Sequence, residues 1–102
     1  MSWDPVVAQF DELIHVPARL RVVAALATAT ELEFSALEES VGLTTSHLSK
    51  QLRVLTEAGY LALDKRAQAF GRPRTWVRLT PSGRRAWLGH VEALRQLTAP
   101  EP

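Results

Sequence analysis

Two glycines, Gly42 and Gly59, bracket the segment that most restricts what this chain can become. Between them Leu48, Leu52 and Leu55 recur at helical spacing, and at about 100° per residue they gather into one narrow apolar stripe. A helix with so thin a stripe can bury only one side, so it must lie on the surface of a body formed by the rest of the chain. Thr44 or Thr45 can cap its first amides, and Gly59 can take the left-handed conformation that ends it, which predicts a helix over about 44–58. Just before it, Ser35-Ala36-Leu37-Glu38 has the form of a capping box and opens another helix that closes at Gly42, with Leu43 turned back onto the core. The expectation is a pair of helices joined by a tight glycine turn.

The flanking segments complete an architecture. After Gly59, residues 60–66 and 75–79 read as two strands around the loop Ala67 to Arg74, which contains Gly71 and Pro73. Thr80-Pro81 supplies an N-cap and a first-turn proline for a last helix, with Leu88, Val91, Leu94 and Leu97 on its apolar side. Upstream, Val6, Val7, Phe10, Leu13 and Ile14 are spaced as one face of an amphipathic helix from Trp3 to Val16. Pro17 starts a second helix to about Ala29, and Glu31-Leu32-Glu33-Phe34 alternates as a short strand does. The expected order is α-α-β-α-α-β-β-α, a mainly α fold with a small β-hairpin, that is, a winged helix-turn-helix. With 102 residues, 46% of them hydrophobic, residues 1–98 should form one domain and 99–102 a tail, with no room for a separate catalytic or activation domain.

Charge distribution narrows the function. The net charge is only +1, yet residues 1–43 carry two basic side chains against seven acidic ones, and residues 44–85 carry nine against two. On the helix over 44–58, Ser46, Ser49, Lys50, Arg53 and Glu57 lie opposite the leucine stripe, with His47 and Gln51 toward its edge. Together with Thr45, its first turns offer hydroxyl, amide and cationic groups able to reach base edges and phosphates. Arg66, Arg72, Arg74 and Arg78 collect on and beside the hairpin, where a projecting loop suits a narrow, electronegative minor groove. Taken singly, each of these is an ordinary solvated side chain. Together they meet one spacing requirement, a helix in the major groove with an adjoining loop over the neighbouring backbone or minor groove.

Other classes fit less well. The chain has no cysteine, so disulfides and thiolate metal sites are excluded, and a reducing cytoplasm suits it. The acidic N-terminus lacks the basic start of a signal peptide, and no apolar run approaches the roughly 18 residues of a membrane span, so neither export nor a membrane partner is expected. Nucleophile elbow, phosphate-binding glycine loop and metal motif are all missing, so catalysis and cofactors are not expected. Asp11 and His15 stand i, i+4, but two ligands fall short of a zinc site, and a helix-face hydrogen bond or a solvated pair is the simpler reading. The main rival is a winged-helix module that contacts an acidic protein; such a face would more often expose central aromatic anchors than basic side chains.

Phe34-Ser35-Ala36-Leu37, the run Leu43 to Leu55, Glu57-Ala58-Gly59-Tyr60-Leu61, Gly71-Arg72-Pro73-Arg74-Thr75-Trp76 and Leu79-Thr80-Pro81-Ser82-Gly83-Arg84 together resemble the small winged-helix transcriptional regulators related to the MarR and ArsR families. The resemblance covers nearly the whole chain. It implies a homodimer, built largely from the first and last helices, that presents two recognition helices to a pseudo-palindromic double-stranded DNA operator. Repression is the default role in so short a chain. Metal-sensing members use cysteines before the recognition helix or Asp, His and Glu sets on the last helix; here that helix offers only His90 and Glu92, so metal sensing is not implied. Trp3, Phe10, Trp87, Leu88, Val91 and Leu94 have two readings, a dimer core or the lining of a pocket for a small-molecule effector, and aromatic residues on amphipathic helices favour the first.

Overall fold

A computed structural model describes residues 6–100. The elements are α1 (Pro17–Ala27), β1 (Leu32–Glu33), α2 (Phe34–Val41), α3 (Thr45–Glu57), β2 (Leu61–Arg66), β3 (Arg74–Leu79) and α4 (Pro81–Thr98). The three strands form an antiparallel sheet in the order β1-β3-β2, with Leu32 opposite Val77 and Arg66 opposite Arg74 at the far end of the hairpin. This is the winged-helix architecture expected from the sequence, four helices around a small sheet, with one difference at the N-terminus.

Residues 6–16 form no regular helix. Gln9 N–H donates to the Gly89 carbonyl at 2.9 Å, which lays the first described residues along α4. A single turn follows, closed by His15 N–H on the Asp11 carbonyl (3.0 Å) and capped by Ile14 N–H on Asp11 Oδ1 (3.0 Å). It cannot continue, because a residue preceding proline is driven out of helical space, and Val16 sits at φ −65°, ψ 127°. The apolar spacing of Phe10, Leu13 and Ile14 reads as helical because one turn delivers the same contacts, and Ile14 is fully buried.

The capping box also gives way. Helix α2 begins two residues earlier than the capping box implies, at Phe34, with Glu33 at its N-cap and no side-chain cap. Ser35 Oγ donates to Glu33 Oε1 (3.3 Å), and Glu38 accepts from Thr45 Oγ1 (2.6 Å), so the glutamate reaches forward to the next helix instead of back. Gly42 closes α2 at φ +69°, its N–H on the Glu38 carbonyl. Thr44 then caps α3 by accepting from His47 N–H, and Thr80 caps α4 by accepting from Gly83 N–H (3.0 Å).

The core is one cluster. Val22, Val23 and Leu26 of α1, Leu37 and Val41 of α2, Leu48, Leu52 and Leu55 of α3, and Leu61, Val77 and Leu79 of the sheet are all buried against one another. Each fully buried leucine contributes about 2 kcal/mol relative to exposure, which fixes α3 on its leucine stripe and leaves its other side free. At the other end α4 lies close to the chain at its start. A β-carbon at Gly83 would run into the carbonyl of Tyr60, so only glycine permits that approach.

Candidate nucleic-acid interface

Helix α3 is held from beneath and from both ends. Its leucines are sunk in the core, Thr44 satisfies its first turn, and Tyr60 N–H on the Leu55 carbonyl (3.0 Å) seals the last. Thr45, Ser46, His47, Ser49, Lys50 and Arg53 are all exposed, on a continuous polar face. Lys50 and Arg53 make no ion pair among the described residues. The expected face is present, with one member removed. Gln51 is only 6% exposed and accepts from Arg19 Nη1 at 3.3 Å, while Arg19 Nε holds the Leu13 carbonyl (2.6 Å). At the edge of the stripe, Gln51 turns inward and ties α3 to α1; it does not belong to the outward face.

The hairpin stands beside this helix. Between them runs a cleft of about 400 Å³ lined by Ser49, Leu52 and Arg53 on one side and Leu63 and Thr75 on the other. The arginines expected to make the hairpin a cationic tip have divided roles. Arg66 grips Glu31 with both Nη atoms (2.8 and 2.7 Å), reaches Asp64 through Nε (3.0 Å), and lies over the Trp76 ring at 4.9 Å. Its hydrogen bonds hold the Glu31 carboxyl below the ordinary carboxylate range. Arg74 Nη1 bonds Glu33 Oε2 at 3.0 Å. Both therefore clamp the base of the wing to residues 31–33, at and just before β1, and of the wing arginines Arg66, Arg72 and Arg74 only Arg72 has no ion pair among the described residues. Arg78 is exposed on the outer sheet face. The sequence showed the arginines clearly but not their partners, because Glu31 and Glu33 lie some forty residues earlier and meet them only through the β1–β3 pairing.

A third cluster joins the two ends of the molecule. Asp11 Oδ2 accepts from Tyr60 Oη at 2.5 Å, and the Asp11 backbone N–H donates to His90 Nδ1 at 3.0 Å. His90 Nε2 lies 3.2 Å from His15 Nδ1, so with Nδ1 already accepting, His90 carries its proton on Nε2 and donates to His15. Asp11 and His15, expected as a helix-face pair, thus bond mainly to distant residues. Hydrogen bonding to Asp11 pushes the Tyr60 pKa up to about 12, and burial lowers that of His90. Among the described residues no group of three or more His, Cys, Asp or Glu side chains is placed to hold a metal ion.

The aromatic and apolar residues of the terminal segments separate as well. Phe10 packs on the rings of His15 and His90 at 4.7 and 4.8 Å, and Trp87 is half-buried against the core cluster. Val91 and Leu94 are half-buried. Leu88 is exposed and, with Val6, Val7, Tyr60 and Arg85, lines a hollow of about 590 Å³ between the N-terminal segment and α4. Trp3 lies outside the described residues.

A surface helix with a polar, cationic face, preceded by a glycine turn and followed by a hairpin, is the arrangement of a winged helix-turn-helix. Residues 18–98 match the family described as winged helix DNA-binding domain, and the chain belongs to that family. It is 30% identical over 87 residues to the uncharacterized protein MJ0432 of Methanocaldococcus jannaschii, covering 85% of this chain and 94% of that one. The transcriptional regulator homologue of Pyrococcus horikoshii OT3 superposes with a TM-score of 0.77 at 25% identity, covering 85% of each chain. A MarR-family transcriptional regulator from Silicibacter pomeroyi does so with a TM-score of 0.63 at 25% identity, over 88% of this chain and 62% of that one. The chain is a winged-helix DNA-binding protein, and these solved neighbours are transcriptional regulators, one of them of the MarR family. No helix among the described residues is long and apolar enough to cross a membrane.

Proposed function

We propose that the chain acts in the cytoplasm as a homodimeric, sequence-specific repressor, seating α3 in the major groove of a pseudo-palindromic operator and laying the wing over the adjoining minor groove or backbone. The observation that carries this reading is the exposed face of Ser46, His47, Ser49, Lys50 and Arg53, whose polar groups are free to reach base edges and phosphates while the leucines behind them are fixed. Catalysis and a cofactor have no part in it.

Two features support the homodimer. The described residues have a radius of gyration of 15.2 Å, against about 13 Å for a compact domain of this length. The elongation goes with apolar side chains left open at the terminal segments: Val7 is 74% and Leu97 70% exposed, and Val6 and Leu88 are about half exposed. A second copy placed there would cover them and set the two α3 helices about 34 Å apart, one turn of DNA. In the same reading a small-molecule effector would sit in the hollow at Tyr60, Arg85 and Leu88, where it could alter the spacing of the two copies.

Binding of the purified protein to a pool of random duplex DNA at two salt concentrations, followed by sequencing of the retained fraction, tests the proposal. The expected result is enrichment of a dyad-symmetric sequence and a steep fall in affinity with salt. Failure to bind at low salt would overturn it and turn attention to an acidic protein partner.

A further inference from the structure

The wing ends in an aromatic side chain that the fold does not use. Phe70 is 89% exposed, the most open of the large apolar residues described, and it stands at the tip of the loop between β2 and β3. The loop is held in shape. Gln68 Nε2 donates to the Arg72 carbonyl at 2.8 Å, tying the two sides of the tip together. Gly71 takes φ +83°, and a β-carbon there would come within 3.2 Å of that same amide nitrogen. Below the tip, the Arg66–Glu31 pair fastens β2 to the residue just before β1, and the Arg74–Glu33 pair fastens β3 to β1. The ring is thus presented on a short, braced projection, with Arg72 two residues away and without an ion pair among the described residues.

Resting on the DNA-binding reading above, we propose that Phe70 is a minor-groove wedge: Arg72 anchors the wing at the phosphates while the Phe70 ring enters the groove, stacks against a base step and bends the duplex. Apolar side chains that enter the minor groove insert between base steps, partly unstack them and kink the duplex. With Arg66 and Arg74 committed to ion pairs at its base, the tip of the wing offers a duplex chiefly Arg72 and Phe70. Charge complementarity chooses the occupant. The tip places one apolar ring beside an unpaired cation, a combination suited to a groove walled by phosphates.

The experiment uses the full chain, a 30-base-pair duplex pool, and end-labelled duplexes whose end-to-end distance reports bending. Phe70→Ala should weaken binding about tenfold per wing, within the range found for base–aromatic stacking, with the salt slope unchanged because no phosphate contact is lost. End-to-end shortening of the duplex should shrink with it, and Phe70→Trp should restore both. Arg72→Ala should instead lower the salt slope by about one per wing. If wild type and Phe70→Ala bind and bend DNA equally, the wedge is wrong while the DNA-binding reading stands. If wild type binds no duplex at low salt, the DNA-binding reading itself fails, and the wedge with it. Concentration-dependent self-association that Phe70→Ala abolishes without altering DNA bending would give the ring to a protein contact and also overturn the wedge.

Discussion

The outer face of α3 and the junction around Asp11 are built from the same kinds of residue and do opposite things with them. On α3, His47, Ser49, Lys50 and Arg53 point outward with their capacity for hydrogen bonds and charge unspent. At the junction, Asp11, His15, Tyr60 and His90 bond to one another, and His90 is fully buried. The wing stands between these extremes, since Arg66 and Arg74 are paired at the surface with Glu31 and Glu33 and Arg72 is left without an ion pair among the described residues. A polar side chain on a small domain either serves the fold or serves a partner, and residue type does not say which.

Substitutions can break this contrast in either half, and the largest effect is expected at the junction. Gly83→Ala places a methyl group against the Tyr60 carbonyl, which forces α4 away from the end of α3. Overpacking against backbone of this kind costs about 3 kcal/mol, so urea denaturation should show a clear loss of stability. An unchanged midpoint would mean that α4 does not approach Tyr60 this closely. On the outer face the reverse pattern is expected. Lys50→Ala with Arg53→Ala should leave the denaturation midpoint within about 0.5 kcal/mol, as surface changes do. The same pair should lower DNA affinity at least tenfold at moderate salt and reduce the salt slope by about two per recognition helix. A double variant that loses stability but keeps the slope would place these two side chains with the fold.

Gln51 sharpens the comparison because it changed sides. Its helical position puts it at the margin of the leucine stripe, where a rotation of a few tens of degrees decides between groove and core. Arg19 settles the matter by offering Nη1 from α1. Gln51→Ala should therefore cost about 1 kcal/mol of stability, the worth of a typical buried hydrogen bond, and leave the selected DNA sequence unaltered. A changed sequence preference with unchanged stability would return Gln51 to the interface.

What could be read from the sequence follows the same line. The order of elements from Pro17 onward, the glycine stops at Gly42 and Gly59, the threonine caps at Thr44 and Thr80 and the leucine stripe are local signals, and each is in the structure as expected. Interactions that depend on segments meeting in space were out of reach. The basic block over 44–85 overstated the free charge of the wing, because β1 brings Glu31 and Glu33 back beside it. The helical spacing of Phe10, Leu13 and Ile14 gave no warning that the segment would open out along α4, since a single turn capped by Asp11 gives the same periodicity. Phe70 carried a signal that could have been weighed: a large aromatic residue next to a glycine in a hairpin loop is far from the polar turn residues such loops favour.

The smallest expected effect concerns acid, and its sign separates the two halves once more. His90 is buried neutral, with His15, Asp11 and Phe10 around its ring, and its pKa lies below the ordinary 6.5, chiefly through burial and then through His15, with Asp11 opposing. The unfolded chain takes up this proton near pH 6.5 while the folded chain resists it until lower pH, so between those values the unfolded state holds more protons and stability rises with pH. Acidification through that window should therefore lower the denaturation midpoint. Charging Nδ1 would also set an N–H against the Asp11 amide, so loosening should begin where the N-terminal segment meets α4, and hydrogen exchange at Asp11 should accelerate before that at Leu48 or Leu52. His90→Gln should flatten the slope between pH 6.5 and the lowered pKa. The loss tied to Glu31, whose carboxyl is held below 4.5, should persist at lower pH in both proteins. If the His90→Gln variant keeps the wild-type slope near neutrality, the proton is taken up elsewhere and the junction is not closed around a neutral histidine.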